Sequence, residues 1–264
     1  MKKLLLVSLA SVLLLGGPAV AADMPAKAPP VPAPPPTWTG CYVEGGAGFG
    51  LWNQTHDTVT PALTTQTTTD GGNGWLGRLG AGCDYQVKPR WVVGLLGEYD
   101  FMNLKGTNSP SLLFPVAPPN SPIAANEKES SAWYFGARVG YLLTPSILTY
   151  FDGGYTQTRF DAQSEFQTAS GTAIGFGFPA QTYHGWFVGG GTETSLSGLL
   201  ADYIPGLPNG LFLRSEYRYS TYQSVGLPEQ FLATGVNDGN VENTKPHVQT
   251  ITTSLIWRFN WTGH

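Results

Sequence analysis

Charge is scarce in this chain. Only 12% of its 264 residues are Asp, Glu, Lys or Arg, against ~25% in ordinary soluble domains. Basic excess is lacking too. The net charge is −4, and −6 once Lys2 and Lys3 are removed with the leading segment, and nothing in that balance points to a basic nucleic-acid groove. Beyond that leading segment no apolar run reaches the ~20 residues a spanning helix needs, so a helical membrane protein is excluded. Uninterrupted helix-forming stretches are missing as well. With 34 Gly and 21 Pro, coiled coils and helical bundles would be broken throughout. Cysteine is limited to Cys41 and Cys83, and without nearby His these make a poor metal site. What the chain has in quantity is aromatic: 8 Trp, 12 Tyr and 13 Phe, which argues against disorder.

Residues 1–21 read as a secretory signal peptide. Lys2 and Lys3 give a positive start, Leu4–Leu15 an apolar run, and Ala19-Val20-Ala21 a small-x-small cleavage site. The run is too short for a membrane anchor. Residues 22–37 include KAPPVPAPPP (27–36), an extended polyproline-type periplasmic linker. The main domain is expected over 38–261, with 262–264 as a C-terminal extension.

From Thr39 onward, apolar residues alternate with polar or small ones. Eight such segments lie at 39–50, 74–86, 90–101, 131–142, 147–157, 184–196, 210–220 and 247–261. Each is near the ~9–11 residues of a tilted strand crossing a bilayer. One face carries the large apolar residues and no charge, as in Trp91, Val93, Leu95, Tyr99 and Phe101 of the third segment. The other carries Glu44, Arg78, Asp84, Glu98, Asp100, Arg138, Asp152, Glu193, Arg214, Glu216, Arg218 and Arg258.

Alternation alone fits either a soluble sandwich or a membrane barrel. The connections separate them. Links 87–89, 143–146 and 197–209 are short to moderate; links 51–73, 102–130, 157–183 and 221–246 are long. Strict alternation of long and short links, with an even strand count, is the pattern of outer-membrane barrels. The expected fold is therefore all-β: an eight-stranded antiparallel up-and-down transmembrane β-barrel in the bacterial outer membrane.

The charged face then points into the lumen. All five basic residues there are Arg, whose planar fork suits crowded, poorly hydrated carboxylate pairing. An eight-stranded barrel is just wide enough for side chains to fill. A salt-bridged plug is expected, with a narrow porin-like channel for ions or small solutes as the alternative. If Gly50 pairs with Gly74, residue 41 falls opposite residue 83, which suits a disulfide between Cys41 and Cys83.

His56, His184, His247 and His264 fall in connections, at strand starts or at the terminus, and no nucleophile motif accompanies them. Neither an enzyme nor a cofactor is indicated. The Thr-rich run 64–69 and the proline-bearing second connection have two readings: solvated loops, or a surface for host or phage ligands. Outer-membrane lipid and lipopolysaccharide are the expected surroundings.

Several runs carry a family resemblance. WTGCYVEGGAGFG (38–50), GCDYQ (82–86), NLKG (103–106), GWFVGGG (185–191), EYRY (216–219) and LIWRFNW (255–261) resemble, in order, the strands of small alphaproteobacterial outer-membrane barrels known as outer membrane immunogenic or porin-family proteins. The resemblance implies a role in envelope integrity and surface interactions. It also implies that Phe259 and Trp261 form the C-terminal signal read by the barrel assembly machinery.

Overall fold

The computed structural model describes residues 38–61, 64, 67–109, 123–200, 203–204 and 210–259. The signal segment, the Pro-rich linker, Trp261 and residues 262–264 lie outside the described residues.

Eight antiparallel strands form a closed ring in the order β1 (Gly40–Val59), β2 (Thr68–Lys88), β3 (Trp91–Asn108), β4 (Ile123–Thr144), β5 (Ile147–Phe160), β8 (Gln181–Ser195), β9 (Leu211–Tyr222) and β11 (Asn237–Phe259). The seam between β11 and β1 runs from Cys41↔Phe259 to Val59↔Val241. A short helix, α1 (Leu196–Leu200), follows β8. Among the described residues no helix is long and apolar enough to cross a membrane.

Exposed side chains on the outer wall form an apolar band that includes Val43, Leu79, Leu95, Phe135, Phe151 and Leu255. Aromatic residues flank it. Trp75, Phe101, Trp133, Tyr155, Trp186 and Tyr217 lie toward the long-connection end, and Tyr85, Trp91, Trp257 and Phe259 toward the other. This is the lipid-facing pattern of a spanning barrel.

The long connections differ from expectation. Most of their described length is strand. Beyond the upper aromatic girdle, β1 to β4 and β11 continue, and the other three walls resume as β6 (Gln163–Gln167), β7 (Ala173–Phe178) and β10 (Val225–Phe231). β4 pairs with β6, β6 with β7, β7 with β10 and β10 with β11. The extension is thus a second eight-strand ring, continuous with the first along five strands and interrupted along three. The interruptions fall at 161–162, 179–180 and 223–224. Pro179, at one of them, has no N–H to give a ladder. Each interruption in β5–β6 and β9–β10 also shifts the inward face by one residue: Thr158 and Phe160 are buried, then Gln163 and Glu165; Ser220 and Tyr222, then Leu227. A bulge between Glu129 and Ser131 does the same in β4.

Candidate functional site: the lumen and the extension above it

Twelve charged side chains meet inside the spanning ring: Glu44, Arg78, Asp84, Glu98, Asp100, Arg138, Asp152, Glu193, Arg214, Glu216, Arg218 and Arg258, all buried. Each arginine engages at least two carboxylates. Arg78 binds Asp100 through Nε and Nη2 at 2.7 and 2.8 Å, and Glu216 through Nη1 at 2.7 Å. Arg138 binds Asp84 and Glu193. Arg214 joins Glu44 to Glu193, with contacts of 3.0 Å to each. Arg218 reaches Glu98, Asp152 and Glu216. Arg258 reaches Asp84 and Glu193. Glu193 therefore receives three guanidinium groups. Buried charges at this density are tolerated only when paired and hydrogen-bonded.

Cross-strand register does not by itself choose the partners. Arg138 lies opposite Asp152 on β5, yet it bonds to Asp84, two strands away on β2. The residue between them on β3 is Gly94, paired with Asp84 on one side and Arg138 on the other. A Cβ at Gly94 would stand 2.0 Å from Asp84 Oδ1. Gly189 does the same on β8 between Asp152 and Arg218, where a Cβ would stand 2.4 Å from Asp152 Oδ1. In both places an acid and an arginine meet across a strand that has given up its side chain.

Aromatic rings also occupy the lumen. The Tyr42 ring lies 4.8 Å from the guanidinium carbons of Arg138 and Arg214 and 5.0 Å from that of Arg258. Arg218 stacks 4.4 Å from Tyr134 and 4.5 Å from Phe187. Such contacts suit the weakly hydrated guanidinium. Each ring shares the inward phase of a charged residue on its own strand, Tyr42 with Glu44, Tyr134 with Arg138 and Phe187 with Glu193, which is the signal that identifies them. Two apolar clusters bracket the charges. Trp38, Tyr42, Val92, Leu142, Leu148, Phe212 and Ile256 form the lower one. Trp52, Met102, Leu104, Tyr134, Phe160, Tyr183, Phe187, Tyr222 and Val248 belong to the upper. Along β9 the order is Phe212, then Arg214, Glu216 and Arg218, then Tyr222.

The wall is fastened near its lower end by a disulfide between Cys41 and Cys83, directly paired residues of β1 and β2. Phe259 ends β11 opposite Cys41, with its side chain outward.

A family profile for the outer membrane protein beta-barrel domain matches residues 9–259. The chain belongs to this outer-membrane β-barrel family. Its location is accordingly the bacterial outer membrane. No curated protein matches the chain. Among solved structures, similar barrels include the outer membrane protein OprG from Pseudomonas aeruginosa, 13% identical, covering 84% of this chain and 97% of that one with a TM-score of 0.44. Another is the outer membrane protease OmpT from Escherichia coli, 11% identical, covering 83% and 97% with a TM-score of 0.39. A third is Ail, the attachment invasion locus protein of Yersinia pestis, 10% identical, covering 81% and 99% with a TM-score of 0.31.

The barrel's upper ring holds a second polar group that sequence reading missed. His56, expected in a loop, is a buried residue of β1. Its Nε2 lies 3.1 Å from Asp70 Oδ2 and its Nδ1 2.9 Å from Glu242 Oε1. Burial pulls its pKa down, but the bonds to Asp70 and Glu242 outweigh this and hold it up at about 9. Asn108 Nδ2 donates to Glu242 Oε1 at 2.9 Å, and Gln163 Nε2 to Glu127 Oε1 at 2.8 Å. Burial, reinforced by the charge of Glu242, pushes Glu127 up to about 8. Burial and then Glu229 push Glu165 up to about 8. His184 and His247 face outward at the upper girdle beside Tyr155 and Tyr219.

Proposed function

We propose that this protein is a non-enzymatic structural barrel of the outer membrane. Its lumen is plugged by Arg–carboxylate pairs, and its upper ring serves as a surface for contacts outside the cell. The observation that carries this reading is the charge network itself: five arginines, each bonded to two or more carboxylates, lie between two apolar clusters. Ions crossing the lumen would have to displace charge-assisted hydrogen bonds in a poorly hydrated setting. The histidines support the non-enzymatic part. His56 is held between two carboxylates, His184 by Tyr155 and Gln157, and His247 by Tyr219.

On this reading residues 1–21 direct export and are removed, 22–37 tether the barrel on the periplasmic side, and Phe259 with Trp261 presents the assembly signal. The ordered motifs shared with small alphaproteobacterial barrels support a role in envelope integrity. Conductance of the purified protein in a planar lipid bilayer tests the plug. Silence, or rare and tiny events, is the expected record, with a leak appearing in Arg138→Ala. Reproducible open steps in the unaltered protein would replace the plug with a hydrated diffusion pore.

A further inference from the structure

The interruption of the wall creates a cleft on its lipid-facing side. The β8–β9 ladder ends at Gly185↔Tyr222, with one further bond from Gln223 N to His184 O at 2.9 Å. Pairing between the continuing strands resumes only at Gly177↔Gln230. Beside this gap lies a cleft of about 560 Å³ at the level of the upper aromatic girdle. That volume is within the ~300–1,000 Å³ of small-molecule sites. Its aromatic lining includes Tyr155 and Trp186; its polar lining includes His184, Gln223, Ser224 and Lys245. Among the described residues no carboxylate lines it.

The His184 ring is oriented by a chain of hydrogen bonds. Trp133 Nε1 donates to Gln157 Oε1 at 2.9 Å, which fixes the amide with its NH₂ group on the other side. Gln157 Nε2 lies 2.8 Å from His184 Nδ1, and the Tyr155 hydroxyl lies 2.5 Å from the same nitrogen. Nδ1 is therefore an acceptor, and the neutral ring carries its proton on Nε2 as a donor. The cleft thus offers an imidazole N–H, an amide, a hydroxyl and the Lys245 ammonium, with aromatic surface beneath. Lys245 is exposed on β11, six residues beyond Ile251, the register partner of Tyr217 in the girdle. Donors and one positive charge at the boundary between apolar wall and water match an anionic headgroup whose chains lie along Trp186 and Val188.

We propose that this cleft binds the phosphate-bearing headgroup of an outer-leaflet glycolipid. The inference rests on the outer-membrane location and stands apart from whether the lumen is plugged. The test is the affinity of the detergent-purified protein for bisphosphorylated lipid A and for the same lipid after enzymatic dephosphorylation, read by native mass spectrometry. Binding of the phosphorylated form at least about tenfold tighter is expected. Lys245→Gln and His184→Phe should each weaken it about five- to tenfold, while Lys105→Gln, exposed on β3 beyond the same girdle, leaves it unchanged. Equal binding of both lipids, or equal loss in Lys105→Gln, would overturn the site. So would displacement of the lipid by millimolar inorganic phosphate, which would make it a site for free anions. Heat-modifiable gel mobility reports folding of each variant. If His184→Phe fails that check, Lys245→Gln, an exposed side chain, decides alone.

Discussion

Arg78 holds Asp100 of the adjacent strand by two parallel hydrogen bonds, Nε to Oδ1 at 2.7 Å and Nη2 to Oδ2 at 2.8 Å, and the two residues are direct register partners. Asp100→Asn would put an NH₂ donor against the Arg78 guanidinium in place of one carboxylate oxygen, breaking the two-bond pair and leaving Glu216 as its close carboxylate. Losing one partner of a buried pair costs about 3–5 kcal/mol. The variant should unfold at clearly lower denaturant or temperature, measured by heat-modifiable mobility or tryptophan fluorescence. A loss below ~1 kcal/mol would mean that the lumen is wet enough to screen the pair.

Gly94→Val places atoms where Asp84 passes to Arg138. The Cβ position is already 2.0 Å from Asp84 Oδ1. The carboxylate must move, and Arg138 loses its principal partner. We expect a destabilisation of at least ~3 kcal/mol, or failure to insert. Gly97→Val on the same strand has nothing within 4 Å of its Cβ position and should be close to neutral. Similar behaviour of the two variants would refute the close-approach argument.

The upper ring should loosen as pH rises. His56, raised from 6.5 to about 9, contributes stability that is complete below about 6.5 and is lost as pH climbs through about 9. Glu127 and Glu165 are raised from 4.5 to about 8. The folded state then binds more protons than the unfolded between those values, so stability again falls with rising pH. Both effects have the same sign. Amide protection in β6, β7 and β10, corrected for intrinsic exchange, should decline from pH 5 to pH 9. Glu127→Gln should flatten the lower part of that decline. Protection that rises with pH would show that the carboxyls are not buried as described.

Removing the link between β1 and β2 by Cys41→Ser with Cys83→Ser should lower stability by about 2–4 kcal/mol. The ring itself should persist, since seventeen register pairs from Gly40↔Asp84 to His56↔Thr68 join these strands. Unfolding of oxidised and reduced protein in urea, with lipid present, measures the difference.

The spanning strands were legible because lipid outside and charge inside impose opposite chemistry on alternate residues. That contrast vanishes above the girdle, where both faces can be polar. QTHDTV (54–59) therefore read as loop although it is the end of β1, and His56 was misplaced with it. The slips at Glu129/Ser131, 161–162 and 223–224 hid the rest. A period-two pattern that changes phase looks like a pattern that stops. Within the lumen, alternation separates inward from outward residues but not one partner from another. The empty position at Gly94 opens the way from Arg138 to Asp84, and the one at Gly189 the way from Asp152 to Arg218.

The ion pairs join residues far apart in the chain. Arg214 and Glu44 are 170 positions apart, Arg258 and Asp84 174, and Arg78 and Glu216 138. A sheet that has paired β1 to β9 but not yet met β11 along its open edge still lacks Arg258 and the short route from Arg214 to Glu44. Every curled but unclosed intermediate therefore carries uncompensated charge on the face that must lose its water. Much of the electrostatic stabilisation arrives in a single event, when the first and last strands meet. Insertion should thus be sharply cooperative in time, with few long-lived half-built barrels and a rate governed by closure of the seam.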